Sequence, residues 1–212
     1  MNGTLAIALP KGRLFDQVLE LLARAGIHAA DEQNGSRKLI FPDTESRYEF
    51  VCLKPIDIPV YVESGAIDVG IVGSDILREL DSDVYEPMDL QIGKCRLSVA
   101  VPNGVAVSYE QQIRVATKYP KTAERFFKSN NAHVHIVKLD GSVEIAPLLG
   151  LADAIVDLVE TGRTLRENGM CILEDIAQVS AKLIVNRTAM KMKATSISQL
   201  IAHLDAVVYA NS

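Results

Sequence analysis

The stretch IVDLVETGRTLRENG, residues 155–169, passes from an apolar run through a short hydroxyl-rich loop into a charged segment. Ala154 to Val159 has the length and β-branched content of a buried strand, and Thr164 to Asn168 contains helix formers followed by Gly169. A loop between a strand and a helix brings together backbone N–H groups and the positive end of the helix dipole. The stretch therefore predicts an anion site, and the anion that we expect is a phosphate.

The loop inside this stretch carries the donors and acceptors that a phosphorylated sugar needs. Its glycine lets the backbone approach an anion closely, two threonines offer hydroxyl donors, and an arginine adds positive charge. Two acidic residues can accept hydrogen bonds from the hydroxyls of whatever carries the phosphate. Junctions of this composition are also common in proteins that bind nothing there, so the loop alone does not fix a function. The candidate residues are Asp157, Glu160, Thr161, Gly162, Arg163 and Thr164.

The composition is that of a globular protein without a membrane span. The 212 residues are 48% hydrophobic and 23% charged, which suffices for one large domain or two small ones. No apolar run approaches about 18 residues, and the N-terminus lacks the leading positive charge of a signal peptide. We therefore expect a cytoplasmic protein with no membrane contact. The net charge of −5 disfavours a general nucleic-acid binder.

Motifs for metal binding and covalent catalysis are missing from the sequence. The three cysteines are widely spaced and form no CxxC pair, which is typical of reduced thiols and argues against a disulfide framework and a zinc site. His133 and His135 would share one face of a strand and could ligate a metal, but no third ligand lies nearby in the sequence. There is no GxSxG or HExxH motif, so covalent catalysis is not favoured.

Predicted strands and helices alternate along the chain, which favours a mostly parallel α/β architecture. Ligands of such sheets bind outside the carboxyl ends of the strands. The loop PKGR, residues 10–13, places Lys11 and Arg13 at a helix N-terminus, where cations oppose the helix dipole. A bound polyphosphate would explain them, and a solvated first helical turn is the alternative. Asp75 in GSD (73–75) and Glu144 in LDGSVE (139–144) suit the dipole without any ligand.

Five segments, in order and spread over nearly the whole chain, resemble the short form of ATP phosphoribosyltransferase. They are LPKGRL (9–14), SRKLIFP (36–42), YVESGAIDVGIVGSDIL (61–77), KLDGSVEIAPLLGLADAIVDLVETGRTLRENG (138–169) and VSAKLIVN (179–186). Five ordered matches are far more specific than one loop. The family joins N1 of the adenine of ATP to C1 of 5-phosphoribosyl 1-diphosphate and releases diphosphate, which is the first step of histidine biosynthesis.

The resemblance implies a two-lobed α/β fold, similar to type II periplasmic binding proteins, with mostly parallel sheets and the substrates in a cleft between the lobes. One lobe would comprise residues 1–94 and 178–212, on the side of the adenine nucleotide and the leaving group. The other, 95–177, would carry the phosphoribosyl-binding loop, with Asp157 near the ribose hydroxyls and Glu160 to Thr164 on the 5-phosphate. The catalytic residues would be Lys11, Arg13 and Arg37, which face phosphate groups, and the ATP-binding residues would be Lys11, Lys54, Asp75 and Ile76.

The resemblance also implies a cofactor and partners. Mg2+ is expected on the substrate phosphates, without direct protein ligands. Long chains of the family carry an additional regulatory domain, whereas short chains like this one pair with a separate regulatory subunit resembling histidyl-tRNA synthetase. We therefore expect a homodimer within a hetero-oligomer.

Two alternatives remain open at this point. One is a type I phosphoribosyltransferase acting on another base, which has a similar TGxT loop but does not explain LPKGRL or GIVGSDIL. The other is a two-lobed solute-binding or ligand-sensing protein without catalysis. Product formation from ATP and phosphoribosyl diphosphate would separate both from the main reading.

Overall fold

The computed structural model of the protein describes residues 4–30 and 38–210. It divides the chain into two compact units, each with its own sheet. The first is formed by the described residues of Met1–Gly93 and Ser180–Ser212, and the second by Lys94–Val179. The substrate expected for each lobe stays a prediction.

The first unit is a six-stranded sheet with helices on both faces. Its strands are β1 (Leu5–Pro10), β2 (Ile40–Pro42), β3 (Tyr48–Leu53), β4 (Val69–Gly73), β5 (Tyr85–Asp89) and β11 (Ala181–Val185). Its helices are α1 (Phe15–Arg24), α2 (Ile58–Glu63), α3 (Ser74–Leu80), α7 (Arg187–Met192) and α8 (Ala194–Val208). The strand order is β2-β3-β1-β4-β11-β5, and β3, β1 and β4 run parallel.

Alternate residues of β1 supply the two cores of this unit. Ile7 belongs to the larger core, which α1 and α8 help to form, whereas the next residue, Ala8, packs in a smaller core with Ile58 of α2. This alternation is the period of a strand that is covered on both faces. A Cβ on Gly70 of β4 would lie only 2.7 Å from the side chain of Ile58, so the glycine allows α2 to pack closely on the sheet.

The second unit is a five-stranded sheet with three short helices. Its strands are β6 (Cys95–Pro102), β7 (Ile113–Thr117), β8 (Val134–Lys138), β9 (Ala154–Val159) and β10 (Met170–Val179). Its helices are α4 (Pro120–Ser129), α5 (Ile145–Leu148) and α6 (Arg163–Glu167). The strand order is β10-β6-β9-β7-β8, and β9, β7 and β8 run parallel. Ile155, Val159, Leu165 and Met170 lie in its core, so buried side chains anchor β9, the loop that follows it and α6.

Both sheets are mixed, whereas the sequence predicted mostly parallel sheets. Of the nine strand pairings recorded between the described strands, four are parallel and five are antiparallel. The antiparallel pairs arise at a hairpin, β2–β3, and where the chain passes between the units. Alternating strands and helices in a sequence do not distinguish a crossover within one sheet from a chain that leaves a sheet and returns. Among the described residues, no helix is both long and apolar enough to cross a membrane.

Candidate functional site

In the first unit, the predicted nucleotide residues follow the carboxyl ends of the three parallel strands. Lys11 follows β1, Lys54 follows β3, and Asp75 lies in the first turn of α3 directly after β4. The first two are neighbours, because the N–H of Lys11 donates to the carbonyl of Leu53 at 2.8 Å. Ligands of open α/β sheets bind at this edge. The fold thus brings together residues that lie up to 64 positions apart in the sequence, as the difference between 11 and 75 shows.

The loop after β1 presents its basic side chains to solvent. Lys11, Gly12 and Arg13 are all exposed, and Gly12 has a φ of 92°, a conformation that other residues rarely adopt. Burial raises the pKa of the neighbouring Cys52 thiol, and the positive charge of Lys11 opposes that rise only in part. The loop is therefore a basic surface beside a thiol that stays protonated.

Asp75 and Ile76 are less accessible than the lysines. Asp75 is 6% exposed, and a Cβ on Gly73 would collide with its carboxylate. The acidic side chain therefore folds back over the start of α3, where a negative charge interacts favourably with the helix dipole. Ile76 is half-buried against the smaller core. The predicted contact of these two residues with a nucleotide stays a prediction, as does the role of Arg37, which lies outside the described residues.

In the second unit, the loop predicted to bind a phosphate connects β9 to α6 at the carboxyl edge of β8, β7 and β9. Gly162 precedes α6 with φ 70° and ψ 10°, so the loop turns through a left-handed conformation. The N–H of Arg163 donates to the hydroxyl of Thr161 at 3.3 Å, which closes the turn. Glu160, Thr161 and Thr164 are exposed at the same edge. The sequence predicted this strand, loop and helix, with the helix beginning one residue later than observed.

The two arginines of α6 make different contacts. Arg163, whose side chain is 78% exposed, pairs with Glu167 at 2.7 Å. Arg166 donates from Nη1 to the carbonyl of Thr161 at 3.0 Å, so this hydrogen bond links α6 to the loop that precedes it. The sequence motif predicted Arg163 as a site residue but did not point to Arg166. The signal was available, because a residue four positions after Gly162 on a helix returns to the same face.

Asp157 is a partly buried carboxyl group next to a lysine. Its side chain is 25% exposed on β9, and Oδ1 lies 3.5 Å from Nζ of Lys118, an ion-pair distance. No hydrogen bond of regular geometry reaches this buried oxygen from the described residues, although the N–H of Leu158 and the ammonium of Lys118 both favour the ionised carboxylate. Burial raises the pKa of Asp157; Lys118 lowers it and Glu144 raises it further, with a net rise. Lys118 was also missed, although it follows a predicted strand end as the other site residues do.

His133 and His135 are both exposed, and His135 lies on β8, the edge strand. Within residues 4–30 and 38–210, no group of three or more His, Cys, Asp or Glu side chains is arranged to hold a metal ion. The pair therefore stays without an assigned role.

Comparison with known proteins identifies the family. The family model described as ATP phosphoribosyltransferase matches residues 54–206. The ATP phosphoribosyltransferase of Caldanaerobacter subterraneus subsp. tengcongensis is 48% identical, covering 96% of this chain and 97% of its own length. That of Acidithiobacillus ferrooxidans is 47% identical, covering 98% and 99%.

Solved structures agree on family and fold. The ATP phosphoribosyl transferase (HisG:HisZ) complex from Thermotoga maritima contains a chain that is 32% identical, with a TM-score of 0.85, covering 98% of this chain and 100% of that one. The alkanesulfonate-binding protein SsuA from Xanthomonas axonopodis pv. citri is 13% identical, covering 99% of this chain and 75% of its own, with a TM-score of 0.57, so it bears on the fold alone. The predicted two-lobed α/β fold of the type II periplasmic-binding-protein class is confirmed, although with mixed sheets. The chain belongs to the ATP phosphoribosyltransferase family.

Proposed function

We propose that the protein transfers the 5-phosphoribosyl group of phosphoribosyl diphosphate to N1 of ATP, the first step of histidine biosynthesis. The observation that carries the proposal is the loop after β9, where Gly162 turns the backbone at the carboxyl edge of three parallel strands in a chain of this family. Its backbone N–H groups and threonine hydroxyls suit the 5-phosphate. The alternatives, a type I phosphoribosyltransferase and a non-catalytic two-lobed binder, lose support because full-length relatives in the family carry the transferase name.

The chemistry requires one bond to form and one to break. The lone pair of adenine N1 forms a bond to C1 of the ribose, and the bond between C1 and the diphosphate oxygen breaks, with its electron pair leaving on diphosphate. Because N1 carries no proton at neutral pH, the reaction needs no general base. The cost lies in the charge that grows on the leaving group and on the ribose ring, so stabilisation of that charge is the main catalytic task.

Basic residues of the first unit suit this task. Lys11 and Arg13 lie in one exposed loop, and we propose that they, together with Arg37, neutralise the diphosphate and triphosphate groups. Arginine binds phosphate oxygens through two parallel hydrogen bonds and keeps its charge at all working pH values. Lys54, beside Lys11, and Asp75 with Ile76 complete the proposed nucleotide side.

The second unit is proposed to hold the sugar. Glu160, Thr161, Gly162, Arg163 and Thr164 would bind the 5-phosphate, with Asp157 accepting hydrogen bonds from the ribose hydroxyls. Mg2+ prefers phosphate and water oxygens over cages made only of protein ligands, so it would be held by the substrate phosphates, where it neutralises the charge of the leaving group.

The assembly is proposed by analogy with the related complex. The Thermotoga maritima chain is named as part of a HisG:HisZ complex, and this chain covers that chain fully. We propose that the protein forms a homodimer within a hetero-oligomer, that its partner is a regulatory subunit resembling histidyl-tRNA synthetase, and that the assembly works in the cytoplasm.

The test is product formation. The protein is incubated with ATP, phosphoribosyl diphosphate and Mg2+, with and without its regulatory subunit, and phosphoribosyl-ATP and diphosphate are quantified by mass spectrometry and a coupled assay. Equal amounts of both products are expected. An ATP analogue with carbon in place of N1 should give neither product. Absence of phosphoribosyl-ATP in both preparations would reject the proposed function.

A matched pair of variants tests the role of the first loop. Arg13→Ala should lower kcat about 100- to 1,000-fold, corresponding to about 2.7 to 4 kcal/mol, because charge on the leaving group grows toward the transition state. Arg125→Ala removes an exposed arginine from α4 in the other unit and should leave kcat within about twofold of the parent value. Equal kcat values for both variants would assign the leaving group to other residues.

A further inference from the structure

Lys118 is held at a fixed place by the strand that precedes it. The hydroxyl of Thr117, fully buried, donates to the carbonyl of Val156 on β9 at 2.6 Å and accepts from the N–H of Tyr119 at 2.9 Å. These two bonds tie the end of β7 and the residue after Lys118 to the strand that carries Asp157. The Lys118 ammonium also lies 5.4 Å from the centre of the Tyr119 ring, a cation–π distance. The cation is therefore directed along the edge of the sheet toward β9.

Asp157 receives no hydrogen bond from β6, the strand that pairs with β9 on the side away from β7. Its cross-strand neighbour on β6 is Ser98, which is fully buried. A serine hydroxyl has one proton, and Ser98 donates it to Oδ1 of Asp175 on β10 at 2.7 Å. Arg96 donates to the other oxygen of Asp175 at 3.0 Å, so that second carboxylate is fully partnered.

The charged groups around Asp157 thus come from three elements. Lys118 after β7 is positive, Glu144 at the start of α5 is negative, and Asp175 lies beyond Ser98 with its own arginine. Burial and Glu144 both disfavour ionisation of Asp157, whereas the charge of Lys118 and the N–H of Leu158 favour it. Loss of this one lysine would leave a half-buried carboxyl beside another acid.

We propose that Lys118 is a positioning residue for phosphoribosyl diphosphate, and that it acts by keeping the Asp157 carboxylate ionised and oriented toward the ribose hydroxyls. The inference rests on the proposed function. An ionised carboxylate accepts two hydrogen bonds from neighbouring hydroxyls, whereas a protonated one offers a donor that competes with them.

The test compares pH profiles of kcat/KM for phosphoribosyl diphosphate in the complete enzyme. Lys118→Met should lose about tenfold or more at the acid end of the profile and less at the alkaline end, because its Asp157 protonates at higher pH. Lys118→Arg keeps the charge and should restore the parent profile. Lys128→Met removes an exposed charge at the far end of α4 and should leave the profile unchanged. A uniform loss across pH in Lys118→Met would overturn the proposal and make the lysine merely structural or a direct substrate ligand.

A second measurement does not depend on activity. Carbon-13 NMR of labelled aspartate carboxyls, assigned by comparison with Asp157→Asn, follows the titration of Asp157 in the ligand-free protein. Its midpoint should move to higher pH in Lys118→Met and should not move in Lys128→Met. An unmoved midpoint in Lys118→Met refutes the inference even if the enzyme is active. A moved midpoint in a protein that makes no phosphoribosyl-ATP would reject the proposed function instead.

Discussion

Gly162 allows the left-handed turn before α6, and we propose that it also lets the backbone approach the phosphate. Its φ of 70° is costly for any residue with a Cβ, and the Cβ of an alanine would approach Nη1 of Arg166 to 3.2 Å. Gly162→Ala should therefore lose about 1 to 2 kcal/mol of unfolding free energy. It should also raise the Kd for phosphoribosyl diphosphate, because the added methyl group and the displaced arginine alter the phosphate loop. Chemical denaturation and calorimetric titration measure the two effects.

The matched control lies seven residues further along. Gly169 has a φ of 66° and open space where a Cβ would be, so Gly169→Ala carries a similar backbone cost outside the loop. It should lose comparable stability and keep the parent affinity. If both variants bind phosphoribosyl diphosphate equally well, the loop before α6 does not hold the phosphate.

Asp157 should lower the stability of the free protein. Burial raises its pKa in the folded state above the unfolded value, so its contribution to folding is fully present below the unfolded pKa and is lost as the pH rises through the folded pKa. Asp157→Asn removes that loss. Its melting temperature should therefore exceed that of the parent above the folded pKa, and the gain should vanish in acid, while binding of phosphoribosyl diphosphate weakens. Thermal melts across this pH range measure the difference.

Asp153 on the same unit provides a control of opposite sign. The hydrogen bond from Arg114 lowers the pKa of Asp153, so its contribution is present above the unfolded pKa and is lost as the pH falls through the folded pKa. Asp153→Asn should melt at a lower temperature than the parent at neutral pH. If both variants shift the melting temperature in the same direction at neutral pH, the account of Asp157 is wrong.

At the scale of elements, one side chain joins two helices of the first unit. Asn186 caps α7, because its Oδ1 accepts from the N–H groups of Thr188 and Ala189, each at 2.9 Å. Its Nδ2 donates to the carbonyls of Val62 and Glu63 at the end of α2, at 2.8 and 3.2 Å. The residue thus ends one helix and begins another.

Asn186→Ala should therefore cost about 1 to 3 kcal/mol of unfolding free energy, since it removes the cap of α7 and the two side-chain bonds to the end of α2, although the carbonyl of Val62 keeps its bond from the N–H of Gly65. Asn186→Asp separates the two roles, because an aspartate keeps the acceptor for the cap and has no donor for α2. Denaturant titrations should place its stability below that of the parent. An aspartate variant as stable as the parent would show that the bonds to α2 contribute nothing.

Element boundaries show where the sequence was sufficient and where it was not. The strand and helix around Gly162 were predictable, because β-branched residues, a glycine and helix formers all favour the same structure. The residue pattern from Gln178 to Val185 predicts a single strand, but the structure ends β10 at Val179 and begins β11 at Ala181. The apolar pattern continues through Ser180, while the hydrogen-bond partners change from β6 to β4. A change of the partner strand leaves no signal in the local sequence.

The last helix shows a second limit. Ser196 and Gln199 have the spacing of a capping box and predict a helix start at Ser196, yet α8 begins at Ala194, and its N-cap residue, Lys193, makes no side-chain cap. Lys193 instead donates to Asp68 at 2.7 Å, and Asp68 accepts from the N–H of Ala6 at the start of β1. A tertiary contact thus determines where the helix begins. Lys118 was overlooked for a similar reason, since only the register of β7 against β9 places it beside Asp157.

At the scale of the whole molecule, regulation is expected to require a second chain. Histidine should neither bind nor inhibit the purified protein, because we expect the effector site to lie on or beside the separate regulatory subunit, so that inhibition is a coupling free energy between two chains. Calorimetry with histidine should show no heat of binding for the protein alone and saturable binding once the regulatory subunit is added. Binding to the isolated protein would place the effector site on this chain.

The first unit consists of two separate chain segments, so during synthesis it can be completed only after the second unit has been made. β5 pairs only with β11 among the described strands, and 91 residues, 90 to 180, separate the two in the chain. A nascent chain therefore carries β4 and β5 with unpaired edges while the contiguous second unit, 94–179, is already complete, and such edges are sites of aggregation. Released chains that end at residue 179 should resist protease in the second unit and be cleaved in the first. Premature termination before Ala181 would thus release a half-folded molecule that depends on chaperones, although it contains the whole proposed phosphoribosyl loop.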